Sequence, residues 1–402
     1  MFQPPAITIP ESLPQGFQVG GVHCGVKPEA TNLDLALFVS ETPATSAGVF
    51  TTNKVCGAPV QLSRPRIQKV DSRAIVINSG NANACTGQQG LENAAAMTAE
   101  VAKSLDCAAE QVLICSTGVI GHQLPMPEIL QGIPKVAAAL GNQPAQMEAA
   151  GRAMMTTDTV PKTTSREIEI DGKAVRIVGF CKGAAMIKPN MATMLCTVLT
   201  DAALSPDVSQ KLLTEAVEES FNSISVEGHT STSDTVLMLA NGASNAFADS
   251  SAEFVTALKE VCEDLAKRIV LDAEGASHFV TIEISGAADD TTARQLAETI
   301  ADDALVKTAI TGNDPNWGRI ISACGRTGLV ASEHELSLTI NGFTLFETGT
   351  PLDVDLEAIS QSMAQGDVLL QLTVATNGPG KARVWTCDLT QEYVRLNSEY
   401  TT

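Results

Sequence analysis

Cys181-Lys182-Gly183-Ala184-Ala185-Met186-Ile187-Lys188-Pro189-Asn190-Met191-Ala192-Thr193-Met194-Leu195-Cys196-Thr197-Val198-Leu199-Thr200 divides the chain near its middle. It begins with small residues, passes a turn signal at Pro189-Asn190 and becomes an apolar, strand-like run. Thr193 stands at that junction. A hydroxyl just after a turn, at the mouth of a buried strand, is well placed to act as a nucleophile. The plain alternative is a turn into a core strand with an incidental threonine.

Working outward, the chain reads as a layered α+β (mixed α/β) protein. Upstream, Ile168/Ile170 and Val175/Ile177 alternate around Asp171-Gly172, a hairpin signal that delivers the chain to the central stretch. Leu35–Val39 and Gly48–Thr52 read as strands. Ala74–Asn78 and Val112–Cys115 are short, continuously apolar strands of the buried kind. They run into Ser79–Ala84 and Ser116–Gly121, two small, polar loops. A helix is expected over about 127–140, where Pro134 must kink or break it. Downstream, Ser205-Pro206-Asp207 starts a helix. Ser250-Ser251-Ala252-Glu253 offers a capping box for another, which leads to Asp272-Ala273-Glu274-Gly275. A helix over about 292–304, a hairpin at Asn341-Gly342 and strands at Val368–Ala375 and Arg383–Thr386 complete the pattern. Strands and helices do not alternate strictly, and two hairpins argue for antiparallel or mixed sheets.

Composition narrows the chemistry. The net charge of −20 over 402 residues, with no basic cluster to offset it, argues against nucleic acid and anionic membrane as partners. The ten cysteines show no Cys-x-x-Cys spacing, and the five histidines form no metal-ligand motif, so no metal is expected. No secretory signal and no run long enough to span a bilayer is visible, which fits a reducing cytoplasm.

Several positions carry candidate chemistry. An N-terminal threonine can use its own α-amine as base, since that amine titrates at about 7.7–8.0 in model peptides. Acyl transfer also needs donors for a tetrahedral oxyanion. Thr117-Gly118, just after a buried strand, offers a hydroxyl and a backbone N–H; otherwise it is a strand-end turn. Lys182 is either solvated or a contact for a substrate carboxylate. Thr156, in Met154-Met155-Thr156-Thr157-Asp158-Thr159, otherwise belongs to a polar turn. Glu274 follows a long helix, where the dipole mildly disfavours an acid, a small hint of function.

Lys182–Leu195 closely resembles the self-cleavage segment of the ornithine acetyltransferases, the glutamate N-acetyltransferases of the cyclic arginine pathway. Further matching stretches are Val49–Asn53, Ile77–Ala84, Ser116–Gly121, Thr230–Thr235, Asn313–Arg319 and Tyr393–Thr402, so the resemblance spans nearly the whole chain. It implies a break between Ala192 and Thr193, giving an α chain of residues 1–192 and a β chain of residues 193–402 that begins with the nucleophile. It implies an oxyanion hole at Thr117 and Gly118. It assigns substrate binding to Thr156, Lys182, Thr193, Glu274, Asn397 and Thr402, with Glu274 at the amine of ornithine. It implies β-sheets sandwiched between helical layers, as in N-terminal-nucleophile aminopeptidases, and an assembly of two α and two β chains. No cofactor is implied; the substrates are N-acetylornithine and glutamate, and whether acetyl-CoA also donates stays open. Ala184-Ala185, Lys188 and Glu227-Gly228-His229 depart from the family pattern, and Lys188 adds a charge beside the cleavage position. An amide hydrolase of the same type, or a non-catalytic binding protein, are the alternatives.

Overall fold

The structure, a computed structural model, describes residues 3–67, 69, 71–188, 194–375 and 378–399. They form two compact units, one of residues 6–222 and 229–269, the other of residues 3–5, 223–228 and 270–399.

The first unit holds β1 (Phe17–Val22), β2 (Leu35–Phe50), β3 (Ser72–Asn81), β4 (Val112–Val119), β5 (Lys162–Ile170), β6 (Lys173–Lys182) and β7 (Leu195–Thr200). The short β8 (Ile224–Ser225) belongs to the second unit, and β9 (Thr235–Ala240) returns to the first. The strand order is β4-β3-β2-β9-β7-β6-β5, with β1 added to β2.

The 16-residue β2 decides the architecture. Leu35–Val39 pairs with β3, and Thr45–Phe50 pairs with β9, with a register shift between Val39 and Ala44. Pro43 sits in that shift, where a residue without an N–H does least harm to the ladder. The two halves therefore belong to two layers that face each other. Phe38 from the first layer and Phe180, Leu195, Leu199, Leu237 and Leu239, of β6, β7 and β9 in the second layer, share one core. The Phe38 and Phe180 rings meet edge to face with centroids 5.2 Å apart.

Helices cover the outer faces. Leu35, Leu37, Ala74, Val76, Val112 and Ile114 pack with residues of the helices Gly87–Leu105 and Met126–Ala138. On the other side, the helix Ala252–Leu271 lies on β6, so close that a Cβ on Gly179 would sit 2.6 Å from Leu265 Cδ1. The unit is thus a pair of sheets between helical layers.

Both expected hairpins form. Asp171-Gly172 joins β5 to β6 with φ of 50° and 74°, the positive values that a two-residue primed turn requires. Among the described residues four strand pairs are parallel, β3 with β4, β7 with β9, and two in the second unit, so the sheets are mixed. Pro134 lies inside a continuous helix rather than ending it.

The second unit contains β10 (Phe279–Ala287), β11 (Leu336–Ile340), β12 (Phe343–Glu347), β13 (Thr350–Pro351), β14 (Asp367–Val374) and β15 (Gly380–Cys387), in the order β13-β12-β11-β14-β10-β15-β8. Val280, Ile282, Ile284, Leu338, Leu370 and Leu372 alternate toward one face and bury against Leu296, Ile300 and Ile320 of the covering helices. The helix expected over 292–304 is two, Asp290–Ala301 and Ala304–Thr311, because Asp303 caps the second through the Leu305 and Val306 amides. Among the described residues no helix is long and apolar enough to cross a membrane, and no group of acidic, His and Cys side chains could hold a metal.

Candidate active site

β3 and β4 run parallel and end together, and at that end their backbones touch. Gly118 has φ of 129°, and a Cβ there would lie 2.3 Å from the Gly80 carbonyl carbon. Only glycine fits so close an approach. Ser116 Oγ donates to Asn78 Oδ1 at 2.5 Å and ties the strands just inside that end. Thr117, 1% exposed, accepts a hydrogen bond from Lys182 Nζ at 3.3 Å.

Lys182 ends β6 and is 2% exposed. A lysine so buried needs anionic or hydrogen-bonding company, and Asp158 provides part of it. Asp158 Oδ1 accepts from Lys162 Nζ at 2.7 Å and from the Gly183 N–H at 2.6 Å. Its Oδ2 accepts the Thr156 N–H at 3.0 Å. Burial opposes ionisation of Asp158, but Lys162, Lys182 and the Gly183 amide together hold its carboxyl well below the usual carboxylate range.

Lys27 reaches the same region. Its ammonium donates to the Met155 and Leu33 carbonyls, each at 2.7 Å. The loop that carries it wraps around the Asp34 carboxylate, which accepts the Cys24, Gly25, Val26 and Lys27 amides at 2.6–3.1 Å. Burial pulls the Lys27 pKa down to about 8, with Asp34 and Asp158 opposing the fall.

β6 and β7 are antiparallel neighbours, with Lys182 opposite Leu195. Ala192 and Thr193 belong to the connection between them and lie outside the described residues, as does Thr402. Met194 is held from both sides, its N–H donating to Asp234 Oδ1 at 3.1 Å and its carbonyl accepting the Thr235 N–H at 3.1 Å. Asp234 is fully buried, and burial pushes its carboxyl well above the usual range.

Glu274 and Asn397 meet in the second unit, Asn397 Nδ2 donating to Glu274 Oε2 at 2.8 Å. Asn397 lies on the helix Gln391–Glu399. The loop bearing Glu274 packs tightly on the start of that helix. Gly275, at φ of 67°, would place a Cβ 2.5 Å from the Tyr393 nitrogen, and Thr390 Oγ donates to the Gly275 carbonyl at 2.6 Å. Asp388 fastens the same loop by accepting the Ser277 and His278 amides at 2.8 and 3.1 Å. His278 Nδ1 lies 2.9 Å from Asp388 Oδ2, and its Nε2 lies 3.0 Å from Asn313 Oδ1.

Thr117, Gly118, Thr156 and Lys182 therefore converge in the first unit, and Glu274 and Asn397 in the second. Lys27, Asp158, Lys162, Asp234 and Asp388 were missed by sequence reasoning. Asp158 stood inside a quoted stretch, two residues after Thr156, and could have been found there. Burial pushes the Cys24, Cys115 and Cys262 thiols up to about 12, which makes these three poor nucleophiles at neutral pH.

The ArgJ family model matches residues 18–402. The chain is 46% identical over 399 residues to the arginine biosynthesis bifunctional protein ArgJ of Rhodopirellula baltica, covering 97% of this chain and 96% of that protein. It is 44% identical over 410 residues to the protein of that name from Thermosynechococcus vestitus, covering 96% and 97%. Among solved structures, the arginine biosynthesis bifunctional protein ArgJ from Bacillus halodurans is 38% identical, covering 45% of this chain and 92% of that chain at a TM-score of 0.41. Ornithine acetyltransferase from Mycobacterium tuberculosis, complexed with ornithine, is 34% identical, covering 44% and 92% at a TM-score of 0.39.

Proposed function

The chain belongs to the ArgJ family, and from that premise we propose that it moves acetyl from N-acetylornithine to glutamate through an acetyl ester on Thr193, after cutting itself between Ala192 and Thr193. In the cut, the Thr193 hydroxyl attacks the Ala192 carbonyl carbon. An N-to-O acyl shift gives an ester, and water hydrolyses it. The products are residues 1–192 and residues 193–402, which assemble as two chains of each kind. The Thr193 amine is now free to act as base.

In turnover that amine takes the proton from Thr193 Oγ as the oxygen attacks the acetyl carbonyl. The Thr117 hydroxyl and the Gly118 N–H hold the oxyanion. Collapse expels the amine of ornithine with the proton and leaves the acetyl ester. Glutamate enters, its amine attacks the ester, and N-acetylglutamate leaves. Lys182 and Thr156 take the substrate carboxylate, while Glu274, Asn397 and Thr402 take the side-chain amine of ornithine. No cofactor is needed. Acetyl-CoA could load the same threonine, which would match the word bifunctional in the relatives' names. The enzyme works in the cytoplasm.

The observation that supports this reading most is the contact between Lys182 Nζ and Thr117 Oγ at 3.3 Å, a buried ammonium beside a buried hydroxyl. Intact mass and N-terminal sequencing test the cut: two chains are expected, one starting Thr-Met-Leu-Cys, and Thr193→Ala should remain a single chain. Efficient cleavage of that variant would sink the nucleophile assignment. Transfer should follow ping-pong kinetics with an acetylated downstream chain. Acetate release without glutamate-dependent transfer would instead identify a hydrolase. Thr117→Ala should lower kcat by about 10²–10³ if the hydroxyl is an oxyanion donor.

A further inference from the structure

The turn after the helix Pro144–Met154 carries an anion where a substrate site has no obvious use for one. Asp158 and Lys162 pair at 2.7 Å with both side chains fully out of solvent. Buried pairs of this kind are poor sources of stability, because desolvation offsets most of the attraction. What distinguishes this one is the set of groups it holds. One carboxylate oxygen fixes the Thr156 N–H, at 3.0 Å. The other fixes the Gly183 N–H, at 2.6 Å, and so the residue next to Lys182. Lys182 in turn donates to Thr117 Oγ. A single anion thus connects three separate parts of the chain that supply proposed site residues.

The charges point the same way. Lys27, Lys162 and Lys182 all act on or through this anion. Lys162 is its direct counter-ion.

We propose that Asp158 is a positioning residue of the substrate-carboxylate site: it sets Lys182 and Thr156 in the geometry that receives the carboxylate of an amino-acid substrate, with Lys162 as its resident counter-ion. It touches no substrate and acts through those two residues. This rests on the reading that Lys182 and Thr156 bind that carboxylate.

The test uses the full-length, self-processed protein. Asp158→Asn keeps the shape of the side chain and removes the charge. KM for N-acetylornithine should rise about tenfold or more while kcat changes less than about threefold, the pattern of lost uniform binding. The double variant Asp158→Asn/Lys182→Met should bind no worse than Lys182→Met alone, because both changes disable one device. An unchanged KM, whatever happens to the melting temperature, overturns the proposal. So do KM effects that multiply in the double variant. If Asp158→Asn does not fold, Asp158→Glu keeps the charge and moves it by one methylene; its KM should rise with kcat held, and an unchanged KM overturns the proposal equally. A wild-type enzyme that transfers no acetyl to glutamate sinks the functional reading and this proposal together. A wild-type enzyme that transfers, beside an Asp158 variant of unchanged KM, sinks this proposal alone.

Discussion

His278 stands between two acceptors, Asp388 on Nδ1 and the Asn313 side-chain oxygen on Nε2. Satisfying both requires a proton on each nitrogen, which is the imidazolium. Burial alone would lower its pKa, but the hydrogen bonds to Asp388 and Asn313 more than offset this and raise it. A base raised on folding adds stability that is complete below its ordinary pKa of about 6.5 and is lost as pH climbs through the elevated value. Melting curves from about pH 6 to pH 9 should show that decline, and in Asp388→Asn it should disappear, with the larger loss of Tm at the acid end. A decline that survives the substitution belongs to other groups. At this scale the sequence singled out Thr117, Gly118 and Lys182, which the fold brings together. It was silent on Lys27, which reaches the Met155 carbonyl across the fold, and on Lys162, whose partner Asp158 lies only four residues away but forms no recognisable motif with it. Asn397 meets Glu274 from a helix that packs on the Glu274 loop, a pairing across more than a hundred residues that no local motif announces.

At the scale of elements, turns were easier to read than extents. Asp171-Gly172 and Asn341-Gly342 specify their hairpins alone, because positive φ at two successive positions is a local demand. β2 was read as two strands, Leu35–Val39 and Gly48–Thr52, when it is one strand broken by a register shift. The exposed Glu41-Thr42-Pro43 between the halves hides their continuity. Close packing of the helix Ala252–Leu271 on β6 was also invisible, since it depends on an absent side chain. A Cβ on Gly179 would come within 2.6 Å of Leu265 and 2.9 Å of Val261. Gly179→Val should therefore cost about 1–3 kcal/mol by overpacking, read as a lower urea midpoint in the uncut Thr193→Ala background. A midpoint unchanged within error would mean that the helix can lift away without penalty.

At the scale of the whole molecule, the expected division at residue 192 and the observed compact units are divisions of different kinds. One is a proposed chemical cut. The other follows packing, with residues 223–228 passing into the second unit so that β8 can pair with β15. No linker composition marks that passage, so it could not be read beforehand. The sheet order sharpens the contrast: β9 and β7, downstream of the cut, lie between β2 and β6, upstream of it. The two product chains should therefore co-elute in native gel filtration and separate only in denaturant. Dissociation in mild buffer would count against the cut falling where we propose.

Interleaving of this kind changes the order of the folding reaction. In one chain, β7 finds β6 at an effective concentration set by a short tether, whatever the dilution. Two chains must first collide, so recovery from denaturant becomes second order in protein and slows as the sample is diluted. Exposed strand edges meanwhile invite wrong partners. Under the proposed cut, the intact chain would be the template from which the pair is made, and scission the step after which a lost fold is not easily regained.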